Sequence, residues 1–471
     1  MIPVRGFAGR RIAVLGLARS GLVAAQALAA GGARVLAWDD DQTVRARAEA
    51  LGMELADPMC ADLADLTALV LSPGIPTSLP APHPAAARAR ASGVEIIGDV
   101  ELFAREVALA PPHLRPKIVA ITGTNGKSTT AALITHVLAE AGRDVRLGGN
   151  IGVGVLDLEP MHGGAVYVLE LSSYQLELTS SLKADAAVLL NISPDHLERH
   201  GDMAGYLAAK RRVLLNQGKG DAAVIGVDDA WCQQICTEIT AANRRTVVPI
   251  SAGKTVSRGV YALGGRLYDA SEGASIEVAD LSRARSLMGR HNWQNAAAAW
   301  AAVRALDLPA RDAAAGLMSF PGLAHRMETV GFLGEVRFVN DSKATNADAA
   351  RQAMGAWPRF YWIAGGRPKA GGIDSLSDLF GRVIKAYLIG EAATDFARAL
   401  QGEAPAQICG DIASAAREAF ADARRAGEEA VVLFSPACAS FDQFSDFEAR
   451  GEAFRHAVHA LTGADLSEAR A

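Results

Sequence analysis

No stretch of this 471-residue sequence runs for the roughly 18 uncharged apolar residues that a membrane-spanning helix needs. No long basic run is present either, and the formal net charge is −5, from 47 Lys and Arg against 52 Asp and Glu. A nucleic-acid groove is therefore not expected. Any anionic ligand has to be held by local cations or backbone amides, because the global field does not attract it. Cysteine is sparse: Cys60, Cys232, Cys236, Cys409 and Cys438 are an odd, scattered set, which excludes a disulfide scaffold. Cys232 and Cys236 could share a helix face, but no second ligand pair accompanies them, so zinc is not expected. Only 21% of residues are charged and 50% are hydrophobic, which excludes disorder and leaves apolar material for several cores. Arg10-Arg11 before Ile12-Ala-Val-Leu-Gly loosely resembles a twin-arginine signal, but Arg19 interrupts the apolar stretch and no small-residue cleavage site follows. A buried first strand is expected there, in a soluble, reduced, cytoplasmic protein.

What is present is alternation. Arg11-Ile-Ala-Val-Leu-Gly, Arg34-Val-Leu-Ala-Trp, Ala68-Leu-Val-Leu and Val94-Glu-Ile-Ile are short apolar runs separated by helical patterns. A second series comprises Lys117-Ile-Val-Ala-Ile, Ala165-Val-Tyr-Val-Leu-Glu170, Ala186-Ala-Val-Leu-Leu-Asn191 and Ala222-Ala-Val-Ile-Gly-Val227. Within it, Val260-Tyr-Ala-Leu-Gly-Gly-Arg-Leu-Tyr reads as a hairpin turned at Gly264-Gly265. A third series is Val336-Arg-Phe-Val-Asn, Phe360-Tyr-Trp-Ile-Ala, Lys385-Ala-Tyr-Leu-Ile and Ala430-Val-Val-Leu-Phe. The pattern predicts an α/β fold of three consecutive domains, as about 150 residues per domain also suggests. These are a Rossmann-like domain over 1–112, a P-loop-type central domain with a small antiparallel insertion over 117–320, and a second Rossmann-like domain over 321–471. Ligands of such sheets sit beyond the carboxyl ends of strands.

Those ends carry the chemistry. Gly16-Leu-Ala-Arg-Ser-Gly21 follows a strand and opens a helix, but position 18 is Ala, so the Gly-x-Gly-x-x-Gly fingerprint of a nicotinamide site is missing. The turn could still hold a phosphate through amides and the helix dipole. Asp39 and Asp40 at the next strand tip would then accept hydrogen bonds from a ribose or base; a tight turn that merely packs is the alternative. The strongest feature is Thr122-Gly-Thr-Asn-Gly-Lys-Ser-Thr129, between an apolar strand and a helix. Gly123, Thr124, Asn125 and Gly126 would turn backbone amides toward phosphate oxygens, Lys127 adds a point charge, and Ser128 can ligate Mg²⁺, with Thr129 beside it. Glu170 ends a strand where a P-loop fold places an acidic metal partner, and Asp195-His196 stands at another strand tip as a second candidate. Asn292 and Asn295, three apart at a helix start, share a face and could read an adenine edge; capping is the alternative for Asn292.

With Gly149-Asn150-Ile-Gly152, Glu170-Leu-Ser-Ser-Tyr-Gln175, Asn191-Ile-Ser-Pro-Asp-His196 and His325-Arg326-Met-Glu328, the glycine loop resembles the Mur ligases. These are ATP-dependent amide-bond ligases that build the peptidoglycan stem peptide. The resemblance spans Gly16 to about Phe454. Asn340-Asp-Ser-Lys-Ala-Thr-Asn346 and Ser435-Pro-Ala-Cys-Ala-Ser-Phe-Asp-Gln-Phe444 are similar to the branch that adds D-glutamate to UDP-N-acetylmuramoyl-L-alanine through an acyl phosphate. The resemblance implies ATP and two Mg²⁺ ions, with Lys127, Ser128, Thr129 and Glu170 at the phosphates and first ion, and His196 at the second. It also implies that Lys210 is carbamylated, since a carbamate offers anionic oxygens to Mg²⁺ where an ammonium would repel it. Arg326 and Asp341 would contact the nucleotide. Gly16, Asp39, Asp40, Ser72 and Asn150 would contact the sugar nucleotide, and Thr345, Lys369, Ser440 and Phe447 the D-glutamate. The resemblance also implies a monomer, and no nucleic acid or membrane partner is expected. Two other readings stay open at this point: a ligase of the family with another amino acid, and a P-loop ATPase or switch that forms no amide.

Overall fold

The computed structural model describes residues 1–468 apart from 61, 63, 64 and 370, with side chains described up to 461, residue 285 excepted. The last three residues of the third expected domain, 469–471, thus lie outside the described residues. The chain forms two compact units, Met1–Phe320 and Pro321–Ala471.

The first unit holds two sheets. One contains β1 (Arg11–Leu15), β2 (Arg34–Trp38), β3 (Leu66–Leu71) and β4 (Glu95–Ile97), all parallel in the order β2-β1-β3-β4. The other contains β5 (Lys117–Thr122), β6 (Asp144–Gly149), β7 (Ala165–Glu170), β8 (Ala186–Leu189), β9 (Ala222–Gly226), β10 (Thr246–Ser251), β11 (Val260–Leu263), β12 (Arg266–Asp269) and β13 (Ile276–Asp280). Its order is β13-β12-β11-β10-β9-β8-β5-β7-β6. Pairing is parallel from β6 across to β11, and only β11-β12 and β12-β13 are antiparallel. The expected hairpin is present, as an antiparallel extension of the central sheet. Gly264 and Gly265 have φ of 58° and 83°, as a two-residue turn with both central residues left-handed demands.

The central strands are apolar because they are buried on both faces; every residue of β7, β8 and β9 is buried. The helices Lys127–Glu140, Arg290–Ala305 and Ala310–Ser319 pack on one face, around Val119, Ile121, Leu133 and Trp300. The alanine-rich Arg290–Ala305 has ten consecutive buried residues, from Gln294 to Val303, so small side chains let it lie close against the glycine-loop helix. The first sheet is tied to the central one through its last helix, Asp99–Leu109. Glu101 on that helix is fully buried. It accepts from Ser180 N (2.7 Å), Ser181 N (2.8 Å), Ser181 Oγ (2.6 Å), Ser180 Oγ (3.2 Å) and Arg105 Nε (2.9 Å).

The second unit is one sheet of β14 (Glu328–Leu333), β15 (Val336–Asn340), β16 (Phe360–Gly365), β17 (Val383–Ile389), β18 (Ala406–Gly410) and β19 (Ala430–Phe434). The order is β14-β15-β19-β16-β17-β18, with β14 antiparallel to β15 and the rest parallel. The carboxyl ends of β15, β19 and β16 bring Asp341, Ser435 to Ser440 and Gly365 to Lys369 to one edge of the sheet. Sequence patterning passes over β6, β10, β13, β14 and β18. Four of these are edge or near-edge strands with part-exposed faces, and β10 contains Pro249, which argues against a strand.

Burial alone would raise the Glu101 pKa, but the hydrogen bonds from Ser181 and Ser180 outweigh it and hold the group below its usual 4.5. Its contribution to stability is thus fully present above pH 4.5 and is lost as the pH falls below that value. Glu101→Ala should lower the stability of the first unit by about 1–3 kcal/mol, because the main-chain donors of Ser180 and Ser181 and the Arg105 guanidinium all lose their acceptor. Thermal unfolding followed at neutral pH would show this as a lower midpoint, and an unchanged midpoint would remove Glu101 from the tie.

Candidate active site

The glycine loop leaves β5 at Thr122 and enters the helix Lys127–Glu140 through Gly126, whose φ is 85°. A side chain there is excluded twice over: the left-handed backbone disfavours it, and a Cβ would lie 2.3 Å from Asn295 Oδ1. Lys127 Nζ folds back to donate to Gly123 O (2.9 Å) and Thr124 O (2.8 Å). Lys210 Nζ, on the helix Met203–Arg211, donates to the same Gly123 O at 2.7 Å and to Thr122 Oγ1 at 3.4 Å. Lys210 is only 2% exposed. Burial first, and the Lys127 ammonium second, push its pKa well below the ordinary lysine value. The Tyr206 ring lies 4.8 Å from Lys210 Nζ, and its hydroxyl meets Thr124 Oγ1 at 3.1 Å. Burial pushes the Tyr206 pKa up to about 12, so this hydroxyl stays protonated.

Glu170 ends β7 and is buried. Its Oε1 accepts from Asn150 Nδ2 at 2.9 Å, while Oε2 is buried with no hydrogen-bond partner among the described residues. A carboxylate oxygen left in that state fits a cation that is not part of the protein. His196 has a left-handed backbone, φ 52°, and its Nδ1 lies 3.0 Å from the Tyr174 hydroxyl. Among the described residues no three His, Cys, Asp or Glu converge as a metal cluster. Cys232 and Cys236 are buried free thiols. Ser128, Glu170, His196 and Lys210 therefore do not close a cage of their own. Any ion they hold needs oxygens from a ligand.

Several expected contact residues are engaged inside the protein. Asn295 is buried and donates through Nδ2 to Asn292 Oδ1 (3.1 Å), while its Oδ1 accepts from Thr130 Oγ1 (3.2 Å). Asn292 Nδ2 donates to Met288 O at 3.0 Å. These contacts describe support for the loop helix rather than an open amide edge. Asn125 N–H points at Asn191 Oδ1 (2.9 Å) instead of into the loop. In the first sheet, Gly16 has φ 85°, and Asp39 uses Oδ2 to accept from Leu17 N at 2.6 Å. Ser72 Oγ donates to Gly16 O at 2.8 Å, and Asp40 Oδ2 lies 2.9 Å from His83 Nε2. Their side chains thus shape the turn. Between this turn and the glycine loop lies a cleft of about 420 Å³, lined among others by Arg19, Lys127, Asn150, Tyr174, His196 and Lys210.

In the second unit, Asp341 is buried, accepts from Ser435 Oγ (2.8 Å) and Met327 N (3.2 Å), and is pushed up to about 7 by that burial. Arg326 lies in the turn before β14, where its N–H donates to Leu323 O at 3.3 Å. Thr345 follows β15 and its N–H donates to Lys343 O at 2.8 Å. Ser440 is buried, Lys369 is exposed, and Phe447 begins the helix Phe447–Glu468 with Lys343 Nζ 3.9 Å from its ring centroid. Arg450, 1% exposed, joins the loops after β15 and β19. It donates to Ser342 Oγ (3.0 Å), Ser342 O (2.8 Å) and Cys438 O (3.0 Å).

Residues 121–303 match the Mur ligase middle domain, and residues 325–438 match the Mur ligase, glutamate ligase domain. A protein of Caulobacter sp. (strain K31) named UDP-N-acetylmuramoylalanine--D-glutamate ligase is 69% identical over 461 residues, covering 98% of each chain. The chain belongs to the Mur ligase family. A relative of the same name from Brucella abortus (strain 2308) is 51% identical over 467 residues, again covering 98% of each chain. Among solved structures, UDP-N-acetylmuramate-alanine ligase from Thermotoga maritima shares the fold, with a TM-score of 0.55 and 17% identity over 96% of this chain and 99% of that one. The MurF ligase of Thermotoga maritima in complex with ADP does so with a TM-score of 0.54 and 17% identity, covering 84% of this chain and 90% of that chain.

In this Mur ligase the cleft also contains Arg19, Tyr174 and Tyr206, which the sequence motifs do not single out. Arg19 and Tyr174 lie within quoted motifs without a role of their own there, and Tyr206 lies outside them, where an aromatic residue at helical spacing reads first as core. Gly126→Ala should weaken ATP-analogue binding by at least about tenfold, because the loop must move to relieve the contact with Asn295. Isothermal titration would reveal it; unaltered affinity would mean that the loop does not meet the nucleotide.

Proposed function

We propose that this Mur ligase joins D-glutamate to UDP-N-acetylmuramoyl-L-alanine, coupled to cleavage of ATP to ADP and phosphate, in peptidoglycan synthesis. The observation that carries the reading is the convergence of Lys127 and Lys210 on Gly123 O, beside a buried carboxylate with one unmatched oxygen. It stands in a chain 69% identical to a relative of that name. In the proposed reaction the γ-phosphoryl group moves to the alanine carboxylate, releasing ADP and leaving an acyl phosphate. The D-glutamate amine attacks that carbon, and the tetrahedral intermediate collapses to the amide as phosphate leaves. Positioning and charge neutralisation supply most of the acceleration in such transfers. Lys127 would leave its loop carbonyls for the phosphates, while Gly123 to Thr129 surround them.

Ser128, Glu170, His196 and Lys210 would hold two Mg²⁺ ions with the help of phosphate oxygens. When bound, the ions neutralise the charge on the transferring group. Glu170 Oε2 is the protein atom that best fits this role. A carbamate on Lys210 is supported by two observations, its lowered pKa and its position beside Lys127. A neutral amine can attack carbon dioxide, losing one proton as the N–C bond forms, and the resulting anion would attract Lys127 where the ammonium repels it.

The division of labour proposed follows the sheets. Residues 1–112 would take the sugar nucleotide, with the Gly16 turn and Ser72 forming the wall and Asn150 meeting the muramoyl end. Residues 117–320 would take ATP, with Asn292 and Asn295 behind the loop. Residues 321–471 would take D-glutamate through Thr345, Lys369, Ser440 and Phe447, while Arg326 and Asp341 serve the nucleotide. A lysine and hydroxyls suit its two carboxylates. No helix among the described residues is long and apolar enough to cross a membrane. The protein would work as a monomer in the cytoplasm.

Lys127→Ala should lower turnover by at least roughly 10²-fold, as removal of one charge-stabilising donor does elsewhere. ADP formation by the parent protein, measured with a panel of D- and L-amino acids, should need both UDP-N-acetylmuramoyl-L-alanine and D-glutamate. Equal ADP release without the sugar nucleotide would instead make the protein an ATPase or switch. Depleting carbon dioxide should reduce activity and bicarbonate should restore it; Lys210→Ala should be inactive and insensitive to both.

A further inference from the structure

Asn125 sits in the glycine loop with both main-chain polar groups engaged by a single side chain. Its N–H donates to Asn191 Oδ1 (2.9 Å), and its carbonyl accepts from Asn191 Nδ2 (3.2 Å). Asn191 Nδ2 also donates to Gln294 Oε1 at 3.0 Å, and Gln294 Nε2 donates to Asp228 Oδ2 at 3.0 Å. The same Asp228 oxygen accepts Ala252 N–H (2.8 Å), and its other oxygen accepts the Ser251 hydroxyl (2.6 Å). Gln294 is buried, on the helix Arg290–Ala305, while Asp228 is exposed after β9. Neither is among the residues that line the cleft.

We infer that Asp228, Gln294 and Asn191 form a relay of fixed polarity that sets the orientation of the Thr124–Asn125 peptide, and through it the phosphate loop. An ionised carboxylate can only accept hydrogen bonds, whereas a carboxamide offers a donor on one side and an acceptor on the other. Asp228 therefore compels Gln294 to turn its NH₂ outward and its oxygen toward Asn191. Asn191 must then present its own NH₂ to Gln294 and its oxygen to Asn125 N–H. The opposite amide order would set Gln294 Oε1 against Asp228 Oδ2 and leave Gln294 NH₂ facing the Asn191 NH₂. A flipped Thr124–Asn125 peptide would likewise lose the bond from Asn125 N–H to Asn191 Oδ1 and the bond from Lys127 Nζ to Thr124 O. The polarity imposed by one acid outside the cleft thus reaches the loop through two side chains. These are positioning residues: they act through Asn125 and would not touch the nucleotide.

The inference rests on the phosphate-loop reading above, and kinetics separate the two. Gln294→Met keeps the length and removes both polar atoms. KM for ATP should rise about tenfold, the effect of losing a buried hydrogen-bond link, while KM for D-glutamate and the thermal midpoint stay near parental values. Asp228→Ala should do the same, and the double variant should be no worse than the worse single, because both break one chain. Asp228→Asn should recover part of the affinity, since its oxygen can still face Gln294 Nε2 and Ala252 N–H, while the Ser251 contact is lost because that hydroxyl already accepts from Gly253 N and Lys254 N. KM for ATP unchanged in Asp228→Ala, or additive effects in the double variant, would overturn the relay. The exposed Asp228 keeps that test open should Gln294→Met unfold. If the parent protein forms no ADP, the functional reading fails; if it does and the Asp228 variants match it, only the relay fails.

Discussion

Two lysine side-chain nitrogens meet on one carbonyl oxygen, and the glycine loop of the first unit is held in that contact. Lys127 Nζ and Lys210 Nζ lie 2.9 and 2.7 Å from Gly123 O. Like charges brought together in a buried place repel strongly unless an anion joins them. The surroundings keep the pair in place: the Tyr206 ring below Lys210, the Thr122 hydroxyl beside it and Glu170 within its field. A chain with a net charge of −5 has no general pull on anions. A phosphate would have to be drawn to a place such as this, where Lys127 is held at the loop and poorly solvated.

The acidic and amide residues around the cleft do the complementary work of holding backbone in place. Asp39 fixes Leu17 N, Ser72 fixes Gly16 O, Asn295 occupies the space that a Cβ on Gly126 would need, and Asn191 brackets Asn125. Asp39, Ser72 and Asn191 each bind a main-chain group that would otherwise be free to turn, so these loops are already ordered. The second unit follows the same logic with the charge reversed. The buried Arg450 guanidinium is held by carbonyls and a hydroxyl of two loops, and burial brings its pKa down to about 10.

Much of the fold could be read from the chain because buried parallel strands are continuous apolar runs. Lys117-Ile-Val-Ala-Ile and Ala165-Val-Tyr-Val-Leu-Glu both stand where their patterns put them, as β5 and β7. The edge strands could not be read so easily. Asp144-Val-Arg-Leu-Gly-Gly and Ala406-Gln-Ile-Cys-Gly have one side paired and part of each face wet, so nothing requires them to be apolar. At the candidate site, the glycine loop between strand and helix and the place of Glu170 at a strand end were legible because their spacing states their local geometry. Tyr174, Tyr206 and Arg19 were not, because lining a cleft leaves no periodic mark.

The α/β class, the glycine loop and the family can be read along the chain, since they reside in residue type and local spacing. Which polar groups are already engaged follows only from packing. Asn295 and Asp39 read alike as ligand contacts along the chain, yet each bonds to a protein neighbour far away in sequence. The reason is physical: a side chain's hydrogen-bond capacity is a local property, but its partner is set by packing. Lys210 makes the point most sharply. Along the chain it is one cation among three at Lys210-Arg-Arg, and only burial beside Lys127 turns it into an amine with a lowered pKa.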